Sequence, residues 1–179
     1  MSDIVRETRE TKVRAAFALG GTSQHVRTTI PFLDHMMLTL GRYVGADLTV
    51  EASGDLRHHI LEDVAITLGA AVRAAVPNAS VRYGHAVVAM DDALVEVSLD
   101  VGGRRYYRGP LPSSLYDHWM RSFADHAECT LHIRVLRGRD RHHIVEAAFK
   151  ALGFALRDAL APLENIMSTK DAVAVRPSC

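Results

Sequence analysis

The sequence predicts an α+β fold made of two similar halves, each a mixed sheet covered on one face by helices. Three observations predict it. First, a motif occurs twice: Asp34-His35-Met36-Met37 followed by His58-His59-Ile60-Leu61-Glu62, and Asp117-His118-Trp119-Met120 followed by His142-His143-Ile144-Val145-Glu146. Second, the copies stand 83 to 84 residues apart and their flanks repeat too, Leu68-Gly69-Ala70 against Leu152-Gly153-Phe154 and Ala18-Leu19-Gly20-Gly21 against Asp100-Val101-Gly102-Gly103. Third, strand-like alternation and helical apolar stripes are interleaved without regular βαβ spacing. Two copies make one duplicated domain over residues 1–179, with repeats of about 1–88 and 89–179 joined near 84–92, and not a solenoid.

Each element follows from its pattern. Residues 4–19 read as one strand, with Val13, Ala15, Phe17 and Leu19 alternating, and Gly20-Gly21 is the turn after it. Pro31 opens a helix whose apolar stripe is Phe32, Leu33, Met36, Met37 and Leu40, with Gly41 and Gly45 near its end. Asp47 to Ala52 alternates as a strand; about His58 to Val76 is helical and Pro77-Asn78 stops it. The second half repeats the order: strands over Ala86–Met90 and Ala93–Asp100, a turn at Gly102-Gly103, a helix over Tyr116–Ala127, a strand over Cys129–Leu136 and a helix over Arg141–Leu160 ended by Pro162. Residues 165–179 carry no clear period.

Composition bounds the function. The 179 residues are 48 % hydrophobic and 23 % charged, enough for a packed core. With 21 basic and 21 acidic residues, the chain has no general pull toward nucleic acid or a membrane surface, and neither is expected as a partner. The basic run Arg134, Arg137, Arg139, Arg141 reads as a solvated strand end and loop. Cys129 falls in a strand and reads as a small core residue; Cys179 is the last residue. No apolar run has membrane-spanning length and no signal peptide is recognisable, so a reducing, cytoplasmic setting is expected.

The repeated motif carries the chemistry. Six histidines and two glutamates, without thiolates, are the ligand set of a manganese, iron or zinc site with open positions, and eight ligands suffice for two ions. Consecutive helical side chains diverge by about 100°, so adjacent histidines suit two different ions, or one ion and a supporting contact. Glu62 lies four residues after His58 and three after His59, so it shares a face with either, and Glu146 repeats this with His142 and His143.

The chain resembles the imidazoleglycerol-phosphate dehydratases of histidine biosynthesis. The resemblance runs from about Arg9 to Lys170 and rests on Ile30-Pro31-Phe32-Leu33-Asp34-His35-Met36, His58-His59-x-x-Glu62-Asp63, Arg82-Tyr83-Gly84, Met90-Asp91-Asp92-Ala93-Leu94, Gly103-Arg104, Thr130-Leu131-His132-Ile133, His142-His143-Ile144-x-Glu146-Ala147-x-Phe149-Lys150 and Ser168-Thr169-Lys170. It implies a doubled α+β fold binding two manganese ions through His35, His58, His59, Glu62, His118, His142, His143 and Glu146. It implies a phosphorylated small-molecule substrate held by Arg82, Arg104, Ser168 and Lys170, with Lys150 and Glu10 near its polar chain, and Glu62, Glu146 or Glu10 as proton carriers. It also implies a homo-oligomer, a 24-subunit shell of trimers with active sites between subunits. The chain departs from the family pattern at Thr39, where a glutamine is usual, at Tyr43, where a histidine is usual, and before Arg57-His58, where about four loop residues are missing. These edits leave two alternatives open: a paralogue with the same metal core acting on another azole or phosphorylated diol, and a non-catalytic metal-assembled shell.

Overall fold

A computed structural model describes residues 1–164, and the Ser168-Thr169-Lys170 segment lies outside the described residues. The first half runs β1 (Ser2–Glu7), β2 (Thr11–Leu19), β3 (Gln24–Arg27), α1 (Pro31–Val44), β4 (Ala46–Gly54) and α2 (Arg57–Ala75). The second runs β5 (Tyr83–Met90), β6 (Ala93–Val101), β7 (Tyr106–Arg108), α3 (Ser114–His126), β8 (Cys129–Arg137) and α4 (Arg141–Ala159). The two sheets have the same topology, β1-β2-β4-β3 and β5-β6-β8-β7, with one parallel pair in each, β3 with β4 and β7 with β8. The expected duplicated α+β architecture is therefore present.

Each sheet turns one face to the helices. In β2, Val13, Ala15 and Phe17 are buried while Lys12 and Arg14 are exposed; in β6, Val95, Val97, Leu99 and Val101 are buried. Helix α2 lies on β1, β2 and β4, and α4 lies on β5 and β6. The helices then pair across the halves, α1 with α4 and α2 with α3, so four helices fill the space between the sheets. The contacts run in the same direction along each pair. His35 meets Glu146 near the start of α1 and α4, and Tyr43 meets Gly153 further along. In the other pair His118 meets Glu62, and further along Phe123 meets Gly69. Each pair is thus parallel, with its two N-terminal ends together.

Local sequence sets the helix ends. Pro31 occupies the first turn of α1, where a missing N–H is tolerated, and Gly45 ends it at φ 73°, a conformation glycine adopts at low cost. Asp140 caps α4 by accepting from the His142 amide at 2.7 Å.

Three expectations need correction. Residues 4–19 are two antiparallel strands, because Thr8 Oγ1 accepts from the amides of Glu10 (3.1 Å) and Thr11 (3.0 Å) and folds the chain back. Strands β3 and β7 escaped the pattern because four and three residues are too short to show alternation. The junction of the halves precedes residues 84–92, since Tyr83–Met90 is already paired with β6 in the second sheet.

Candidate metal centre

The repeat places its ligands at the N-terminal ends of the helices, and the pairing of helices mixes the halves. His35 on α1 faces His142 and Glu146 on α4; His118 on α3 faces His58 and Glu62 on α2. Within each triad one atom from every residue lies within 4.8 Å of the others, a separation an ion can bridge. In triad one, Glu146 Oε2 stands 3.2 Å from both His35 Nε2 and His142 Nε2. In triad two, Glu62 stands 3.3 Å from His118 Nε2 and 3.6 Å from His58 Nε2. The facing imidazoles are nearly parallel in both, at an interplanar angle of 21°.

The remaining two histidines point elsewhere. His59 is roughly perpendicular to His58 and His143 to His142, as consecutive helical side chains must be. His59 Nδ1 lies 2.9 Å from Asp55 Oδ1 and 3.5 Å from Glu10 Oε2. His143 Nδ1 lies 2.8 Å from Asp92 Oδ1, and its Nε2 is 3.4 Å from Asp91 Oδ2. One chain therefore brings six of the eight expected ligands into two triads and leaves His59 and His143 outside them.

The electrostatics suit cations. His118 Nε2 is buried and has no hydrogen-bond partner, so the imidazole is aimed at Glu62 and His58 with a lone pair or proton unused. Such an atom is costly to leave unsatisfied, and an ion at the triad would satisfy it. Burial pushes the Glu146 carboxyl up, but hydrogen bonds from Lys150 (3.1 Å) and His35 hold it below its ordinary value overall. Asp92 is held down to about 2 by its bond to His143 and by the amides of Arg139 and Asp140. His59 and His143 are raised, chiefly by Asp55 and Asp92. A carboxylate on Nδ1 orients an imidazole and frees Nε2 for a ligand role.

Asp55 and Asp92 are the functional contacts that the repeat alone does not show. Asp55 lies four residues before His59, but Arg139 stands at the matching place before His143, and the carboxylate comes from the β5–β6 turn instead. The aspartates preceding the lone histidines also anchor the site. Asp34 accepts from the Thr28 amide at 2.7 Å; Asp117 accepts from the Leu111 amide at 2.8 Å and the Tyr107 hydroxyl at 2.6 Å.

The expected substrate groups divide between two places. Lys150 belongs to triad one, where a cleft of about 280 Å³ is lined by His35, Thr39, Arg42, Tyr43, Glu146 and Lys150. Glu10 stands beside His59. Arg82 is forked onto Asp100 at 2.6 and 3.0 Å, its amide bonded to Ala159 O at the far end of α4. Arg104 is exposed in the loop after β6. The length of α4 separates Arg82 from His142, a rise of ~25 Å, so the chain does not bring Arg82 to its own triads. Ser168 and Lys170 lie outside the described residues.

The family model described as imidazoleglycerol-phosphate dehydratase matches residues 28–156. A relative of that name from Kineococcus radiotolerans is 43 % identical over 95 % of this chain and 97 % of its own length. Another from Pyrobaculum calidifontis is 45 % identical over 92 % and 96 %. The crystal structure of IGPD from Pyrococcus furiosus in complex with (S)-C348 superposes with a TM-score of 0.86 at 38 % identity, covering 95 % of this chain and all of that one. The enzyme from Staphylococcus aureus gives 0.80 at 28 % identity, covering 91 % of this chain and all of that one. The chain belongs to the imidazoleglycerol-phosphate dehydratase family, the hydro-lyases of histidine biosynthesis.

Proposed function

We propose that the protein dehydrates imidazoleglycerol phosphate to imidazoleacetol phosphate at a di-metal site holding two manganese ions. The observation that carries this reading is the pair of triads, each assembled from both halves of the repeat, with His118 Nε2 buried and unpartnered in one of them. Imidazole and carboxylate donors without thiolate suit manganese. His35, His142 and Glu146 would hold one ion and His58, Glu62 and His118 the other, and the ions would supply Lewis acidity toward the azole ring.

In the reaction, hydroxide leaves the carbon beside the ring and a proton leaves the next carbon. The resulting enol becomes the ketone. Glu62 and Glu146 each face two histidines, and Glu146 also faces Lys150, so both carboxylates are committed to the triads. Glu10 is more than half exposed and only 3.5 Å from His59, which makes it the carboxylate free to carry the proton. Lys150 orients the polar chain of the substrate beside triad one. Arg82, Arg104, Ser168 and Lys170 hold the phosphate through charge-assisted hydrogen bonds.

A homo-oligomer completes the site. His59 and His143 face away from the triads of their own chain and Arg82 sits at the far end of α4, so ligands, phosphate groups and triads meet only if several chains contribute. This supports active sites shared between subunits, as in the 24-subunit shell that the resemblance implies. Thr39 and Tyr43 line the cleft at triad one, where the family pattern has glutamine and histidine. That observation favours, as a second reading, a paralogue using the same core on another azole or phosphorylated diol.

Replacing His142 by Ala tests the site. It removes one ligand of triad one and is expected to abolish activity and manganese-driven assembly together; a fully active His142→Ala protein would overturn the assignment. Lys150→Met is expected to lower kcat/KM by about 10- to 100-fold, the loss of one charge-assisted contact, with assembly intact.

A further inference from the structure

Tyr83, Asp100 and Thr130 form a row across β5, β6 and β8, each directly opposite the next. The two arginines assigned to the phosphate flank this row: Arg82 directly precedes Tyr83, and Arg104 follows β6 after the turn at Gly102-Gly103. Asp100 meets both sides. Arg82 Nε and Nη2 donate to its two oxygens at 2.6 and 3.0 Å. On the other side Gly103 packs so closely that an added Cβ would stand 2.6 Å from Asp100 Oδ2. Thr130 Oγ1 holds the same loop by donating to Arg104 O at 2.8 Å.

Arg82 is held at its backbone as well. Its amide donates to Ala159 O at 2.8 Å, and its carbonyl accepts from the Val101 amide at 2.9 Å. Its φ of 73° is a conformation that costs a residue with a Cβ and persists only where the surroundings impose it. The side chain is fixed too. The Tyr83 ring centroid lies 5.2 Å from Arg82 Cζ, and Asp100 takes two of the five guanidinium N–H donors. The Arg82 side chain is still 31 % exposed, so its remaining donors can meet an anion while the fork to Asp100 stays closed.

The repeat separates this role from a merely structural one. Ala18 stands in β2 where Asp100 stands in β6, and the first half carries its carboxylate directly opposite, on Asp47 of β4. There Gly21 packs on Asp47, whose Oδ1 accepts from the Ser23 amide at 2.7 Å. A carboxylate on either strand therefore serves the glycine turn, and the one at position 100 also reaches an arginine. We infer that Asp100 is a positioning residue of the phosphate subsite: it orients the Arg82 guanidinium and seats the Gly103-Arg104 loop, so that both arginines are fixed before the substrate arrives. The inference rests on the proposed phosphate-holding role of Arg82 and Arg104. Fixing a long side chain in advance removes its ordering cost from the binding step. A neighbouring negative charge also weakens attraction for an anion, so positioning and competition predict changes of opposite sign.

The test measures steady-state kinetics with imidazoleglycerol phosphate, and binding of inorganic phosphate by calorimetry, on manganese-loaded protein. The calorimetric arm reads the subsite even if the proposed reaction fails, so the two failures are distinguishable. Asp100→Asn is expected to raise KM and the phosphate Kd about 10-fold each, with kcat changed less than about 2-fold. In an Arg82→Gln background the same substitution is expected to add less than about 2-fold, because it acts through Arg82. Asp100→Ala/Thr130→Asp copies the arrangement of the first half and keeps a carboxylate under the turn; it is expected to fold and assemble and still to lose the 10-fold. Tighter phosphate binding in Asp100→Asn would overturn the inference and make Asp100 a competitor of the anion. An equal loss with and without Arg82, or full recovery in the Thr130→Asp double variant, would also overturn it and leave Asp100 as support for the turn alone.

Discussion

His35 and Glu146, from opposite halves of the repeat, meet with Nε2 and Oε2 3.2 Å apart. His118 and Glu62 repeat the relationship at 3.3 Å with the halves exchanged. Duplication alone would place a lone histidine and a His-x-x-x-Glu pair in each half. The cross-pairing of α1 with α4 and α2 with α3 turns those parts into two equivalent triads.

Equivalent triads predict equal and separable metal loss. Glu146→Gln is expected to lower bound manganese by one of the two ions per chain, and Glu62→Gln by the other, as measured by elemental analysis after gel filtration. Full loading of both variants would contradict the assignment of these carboxylates as ligands.

The same cross-pairing needs close helix contact. A Cβ added at Gly153 would stand 2.6 Å from Tyr43 Cβ, and one at Gly69 would stand 2.8 Å from Phe123 O. Gly69→Ala and Gly153→Ala are each expected to cost about 1–3 kcal/mol through overpacking, read as a lower urea midpoint. Unchanged midpoints would show that the helices can separate without loss.

Much of this was legible in the sequence. The 83- to 84-residue offset revealed the duplication, and the i, i+4 spacing of His58 with Glu62 and His142 with Glu146 revealed the helical part of each triad. Which half supplies His35 or His118 to which triad was not legible, because it depends on packing between helices distant in the chain. Asp92 was likewise hidden: it reaches His143 from the turn between β5 and β6, as Glu10, at the matching position of the first half, approaches His59. The fold-back at Thr8 was masked by continuous alternation on both sides of it.

Alkaline pH should probe the support beneath triad two. Burial and the Asp117 carboxylate push the Tyr107 hydroxyl far above its ordinary range, and burial also raises Tyr116. A tyrosine whose folded pKa is raised contributes stability that is full below its unfolded pKa of about 10 and is lost as pH rises above it. Absorbance at the tyrosinate band is therefore expected to show Tyr107 ionising only with unfolding, and Tyr107→Phe is expected to flatten the alkaline loss of stability. Reversible ionisation of every tyrosine near pH 10 in folded protein would contradict the burial and bonding described for Tyr107.

The most direct measurement is turnover of imidazoleglycerol phosphate by the manganese-loaded protein, following formation of imidazoleacetol phosphate. The proposed function predicts turnover at enzyme-like rates that is lost on chelation and restored by manganese, which would make Thr39 and Tyr43 tolerated features of the cleft beside His35 and Lys150. No turnover with two ions bound per chain would contradict it, and would leave the metal core in service of a different azole or phosphorylated diol.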